Sequence, residues 1–177
     1  AGCSNPNARK EINASTSPVK SKPSIARPAA NPWTISSFAR KEGETEGSKF
    51  VKFVTEGDFS DSTQNNNHLY ADIIVNMASA GIFLHERQKS SPAEKFIEPV
   101  HIKMTNSSGN ELQMTSSRSW NSSGGILIEK NNNDYSQFRI FMLQSDGIIN
   151  IEIRDDSSSV YHFDINAAGF ADAFSQI

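Results

Sequence analysis

FRIFMLQSDGIINIEIRDDSSSVYHFDI, residues 138–165, is the stretch on which the fold turns. Ile149, Ile151 and Ile153 alternate with Asn150, Glu152 and Arg154, the period-two pattern of a strand with one buried face. Upstream, Phe138, Ile140 and Met142 alternate with Arg139, Phe141 and Leu143, which predicts a strand apolar on both faces and central in a sheet. Ser145-Asp146-Gly147 between them reads as a tight hairpin turn, because Asp-Gly tolerates positive φ. After a polar loop at 155–159, Tyr161, Phe163 and Ile165 again point one way. The whole predicts a three-stranded antiparallel meander with a ready hydrophobic face.

Similar signals run outward from it. Alternation is strong at 69–77 and 100–105, with shorter runs at 50–54, 82–86, 112–114 and 126–129. Trp33, Ile35 and Phe38 mark a first short strand or its approach. Glu56-Gly57-Asp58-Phe59, residues 106–110 and residues 130–136 read as turns. Near the end, residues 167–174 (AAGFADAF) suit one or two helical turns with Phe170 and Phe174 on one side. With turns every eight to twelve residues or so and no long helical pattern, the expected fold is all-β: an antiparallel β-sandwich of about eight to ten short strands.

The 177 residues allow one domain with a tail. Residues 1–32 hold five of the seven prolines and few apolar side chains. That composition predicts a disordered, partly polyproline-like tether, with the domain occupying residues 33–177. Arg9, Lys10, Lys20, Lys22 and Arg27 against Glu11 give the tether +4, so residues 33–177 carry −7 of the total −3. A net negative chain argues against general nucleic-acid binding. The single cysteine, Cys3, excludes an intramolecular disulfide.

Ala1-Gly2-Cys3-Ser4 resembles the end of a bacterial lipobox, in which a small pair precedes the cysteine that becomes diacylated. The resemblance implies that Cys3 is the lipid attachment site and the membrane the first partner. Ser4 after the cysteine implies the outer membrane under enterobacterial sorting. Thiol catalysis is not expected from a cysteine on a tether that holds no base against it. The overall pattern resembles small lipid-anchored β-sandwich proteins of Gram-negative envelopes.

Catalytic signatures are sparse. There is no GxSxG, P-loop or GxGxxG, and His85-Glu86-Arg87 lacks the second histidine of HExxH. His162 shares a strand face with Asp164, and His101 shares one with Lys103 and Thr105. Both groups read as solvent-facing. Asp58, Asp61 and Asn65-Asn66-Asn67, or Asp155-Asp156 with the serines after them, could offer oxygen ligands, but neither has EF-hand spacing. No metal or other cofactor is expected. Trp120, in a polar loop, is either a plug closing one end of the body or an exposed platform. In the second case Trp120, Arg118 and Asn121 form the candidate binding patch.

The expectation is therefore a non-catalytic, envelope-anchored binding module. Two other readings remain. One is a periplasmic or secreted hydrolase with its site in the loops 60–68, 88–99 and 116–125. The other is a structural subunit that pairs through an edge strand such as 50–54.

Overall fold

The computed structural model describes residues 31–39, 47–89, 93, 96, 98–116, 119–120, 125–130 and 133–177. The elements are β1 (Thr34–Ser37), β2 (Lys49–Ser60), β3 (Asn67–Val75), β4 (Ser79–Glu86), β5 (Val100–Asn106), β6 (Glu111–Ser116), β7 (Ser119–Trp120), β8 (Gly125–Glu129), α1 (Asn133–Gln144), β9 (Ile148–Arg154), β10 (Val160–Asn166) and α2 (Phe170–Phe174). The expected tether, residues 1–30 above all, lies outside the described residues.

The chain is antiparallel and β-rich, as expected, with a short C-terminal helix. Its strands are joined in one hydrogen-bonded path, β6-β5-β9-β10-β2-β3-β4-β8-β7, with β1 added beside β2. The sheet curls into a nearly closed barrel. Across the seam, the Ser116 hydroxyl of β6 donates to the Leu127 carbonyl of β8 at 3.0 Å. Alternation does what the pattern demanded. Leu69, Ala71, Ile73 and Val75 of β3, Val100, Ile102 and Met104 of β5, and Ile149, Ile151 and Ile153 of β9 all point into the core. Tyr161, Phe163 and Ile165 of β10 join them.

Residues 138–143 are the main correction. They form helix α1 rather than a central strand. Its buried residues are Tyr135, Phe138 and Met142, spaced three and four apart, while Ile140 and Leu143 face outward. Six consecutive residues rich in apolar side chains carry no clear period, so either element fits them. Asn133 and Asp134 at the start suit a helix N-terminus. The Tyr135 hydroxyl then anchors the helix by donating to the Asn76 carbonyl. Gly147, at φ 79°, redirects the chain from helix to β9 instead of closing a hairpin.

Two further expectations change around β2. Residues 56–59 continue the strand rather than turning. Gly57 sits where β10 comes closest: a Cβ there would lie 2.0 Å from the His162 carbonyl oxygen. The stretch 50–54 is not an edge, because β1 pairs with β2 from Lys49 to Lys52 while β3 covers the other side. β10 meets β2 only between Gly57 and Ser60. Beyond that the two strands part, and Trp33 fills the fork, 3% exposed, with its ring against Phe53 and Phe170.

A polar outer wall as candidate functional site

Where inward positions are apolar, the alternate positions of β6, β5, β9 and β10 face out, and apart from Ile148 and Val160 they are polar. Two adjoining depressions mark this wall. One, of about 240 Å³, is lined by His101, Lys103, Gln113, Thr115, Glu152 and Arg154. The other, of about 420 Å³, involves Lys103, Thr105, Asn150, Glu152, His162 and Asp164. Lys103 and Glu152 belong to both.

Register decides who meets whom. Lys103 stands opposite Glu152, Glu152 opposite His162, His162 opposite Asp58, and Asp58 opposite His68. Basic or imidazole groups thus alternate with carboxylates across five strands. Within this row the Arg154 Nε donates to Glu152 Oε1 at 2.6 Å, and His162 Nδ1 lies 3.9 Å from Glu152 Oε2. Lys103 Nζ reaches Glu111 at 2.6 Å, and His68 Nε2 lies 3.6 Å from Glu56. The Arg154 guanidinium, through its hydrogen bond, holds the Glu152 carboxyl below the usual glutamate range, with His162 and Lys103 adding to the effect. The same bond raises the Arg154 guanidinium. The centre of the wall is thus a partly exposed ion pair.

The residues singled out by sequence fall as follows. His162 and Asp164 share the outer face, but each takes a partner on β9: His162 faces Glu152, and Asp164 accepts the Asn150 amide N–H at 2.6 Å. His101 is exposed, its Nδ1 3.3 Å from the Thr115 hydroxyl. Glu86 accepts the Tyr161 hydroxyl at 2.9 Å, and burial pushes the Tyr161 phenol up. Asp61 spends one oxygen on the Thr63 and Gln64 N–H groups and the Thr63 hydroxyl. Asp155 does the same with the Ser157 N–H and hydroxyl. These are loop-closing turns of the Asx type. Among the described residues no three His, Cys, Asp or Glu side chains gather to hold a metal ion.

Trp120 belongs to β7, where its backbone pairs with Gly125. Its side chain lies outside the described part, as do Arg118, Asn121 and Cys3. Nothing in the local sequence marks Glu152 and Lys103, the hub of the wall, as a site. Their outward phase was legible, but which strands bring them together was not.

Comparison with protein-family models, with curated proteins and with solved structures gives no match in any of the three.

Proposed function

We propose that this chain is a bacterial envelope lipoprotein, anchored through acylated Cys3 at the outer membrane, whose β-body binds a partner without transforming it. Ala1-Gly2-Cys3-Ser4 and the basic, proline-rich segment behind it support the anchor. The observation that carries the non-catalytic half is Glu152. A general acid or base works best with its pKa near the operating pH. The carboxylate at the centre of the polar wall is moved the other way, its anion favoured by the Arg154 hydrogen bond at 2.6 Å. Charges fixed on rigid strands suit complementary recognition, which sets specificity and encounter rate. The anchor supplies local concentration, so a modest affinity per contact suffices.

The test is intact-mass analysis of the protein produced from its full coding sequence in a Gram-negative host. The expected result is a mature chain carrying diacylglyceryl on Cys3, lost in Cys3→Ala. An unmodified thiol at Cys3 ends the anchor reading.

A further inference from the structure

The edges of this sheet are not equally guarded. β6 begins with Glu111, held by Lys103, and its last residue bridges the seam to β8. Charge and cover of this kind keep an edge from recruiting another strand. β1 has neither. Thr34, Ile35, Ser36 and Ser37 are uncharged, contain no proline, and are all exposed. Among the described residues β1 pairs with β2 alone.

Its hydrogen-bonding phase can be read. The Phe38 N–H donates to the Ser48 carbonyl at 2.9 Å. Hydrogen-bonded pairs alternate in an antiparallel ladder, so Thr34 and Ser36 bond to β2 while Ile35 and Ser37 aim their N–H and C=O groups away from it. Lys52, the neighbour opposite Thr34, is drawn to the far side of β2 by Asp72 at 2.7 Å. The outer edge of β1 is therefore a short template whose own side chains are uncharged, with the exposed Lys49 of β2 opposite Ser37 as its charged neighbour.

We propose that β1 pairs antiparallel with β1 of a second copy of this chain, about a two-fold axis through Ser36. In that arrangement Ile35 stands opposite the second copy's Ser37 and exchanges backbone hydrogen bonds with it, and the reciprocal pair does the same. Ser36 then faces its own counterpart in a pair without hydrogen bonds, the closer of the two pair types. Charge favours this place for self-association. Residues 33–177 carry −7, so two bodies repel over most of their surface, and β1 is a charge-free strip. Exposed Ile35 and Phe38, 41% and 43% accessible, add apolar area beside the ladder. The inference concerns the body alone and does not depend on acylation of Cys3.

An interface this small supports a dissociation constant on the order of 10–100 μM. Sedimentation equilibrium of the full soluble chain, with reductant present so that Cys3 cannot crosslink, reads it directly. The wild-type weight-average mass is expected to rise through that range from the monomer mass, and to approach twice it only well above the dissociation constant. Ser36→Lys and Ser36→Glu each set like charges face to face and weaken the dimer at least about tenfold. An equimolar mixture of the two restores it, because opposite charges then meet at the axis. Ser36 is exposed, and unchanged circular dichroism of both variants confirms that the fold is kept. A wild type that stays monomeric overturns the proposal. So does a dimer that ignores both substitutions, or single-charge variants that fail to recover on mixing.

Discussion

The indole N–H of Trp33 donates to the main-chain carbonyl of Asn166 at 2.7 Å, tying the start of the body to the end of β10. The bond lies where β10 leaves β2, and the ring closes the gap against Phe53 and Phe170. Trp33→Ala is expected to cost about 3–5 kcal/mol in denaturant unfolding, from lost burial and an open fork. Trp33→Phe keeps most of the packing but orphans the carbonyl, and should cost about 1–3 kcal/mol. Equal losses for the two variants would mean that the hydrogen bond, not the ring, matters.

Helix α1 makes a sharp claim about neighbours in sequence. A strand at 138–143 would put Phe138 and Ile140 on one buried face. The helix buries Phe138 completely and leaves Ile140 about half accessible, at 49%. Phe138→Ala should therefore lower stability by about 3–5 kcal/mol, and Ile140→Ala by less than about 1 kcal/mol. Comparable losses at both positions would contradict the helical assignment.

Gly57 and Gly109 test two different reasons for glycine. Gly57→Ala drives a methyl group into the His162 carbonyl, so either β10 must move or the pairing fails. A loss of about 2–4 kcal/mol is expected, with slowed amide exchange protection lost first at the 57–163 rung. Gly109 has φ 81° and open space around it. Gly109→Ala meets only backbone strain, about 1–2 kcal/mol. Hydrogen exchange and denaturant melts of the two variants separate these cases.

The lowered pKa of Glu152 has a direction in pH. Its carboxylate is worth more in the folded chain than in the unfolded one. That contribution is complete above the ordinary glutamate range and is lost as the pH falls through the lowered native value. The pair is partly exposed, so the effect is small. Glu152→Gln should lower the thermal midpoint at neutral pH by about 1–3 °C, with the difference vanishing once the pH has fallen below the lowered native value. A difference that grows on acidification would reverse the sign and refute the ion-pair account.

Much of the architecture was legible because burial writes period two into a strand. The cores of β3, β5, β9 and β10 appear in the sequence as Leu69 to Val75, Val100 to Met104, Ile149 to Ile153 and Tyr161 to Ile165. The polar phase of the same strands named the outward residues of the wall, His101, Lys103, Glu152, His162 and Asp164 among them. Three things had to await the tertiary structure. Residues 138–143 carry apolar side chains in every phase, so only the partners of Tyr135, Phe138 and Met142 choose helix over strand. Gly57 reads locally as a turn, and only the approach of β10 makes it an interior strand residue. The hub at Glu152 depends on strand order, because β5 and β10 flank β9 from opposite sides though one lies about fifty residues before it and the other directly after. Local sequence sets which way a side chain points. Strand order and register, which are long-range, set what it meets there.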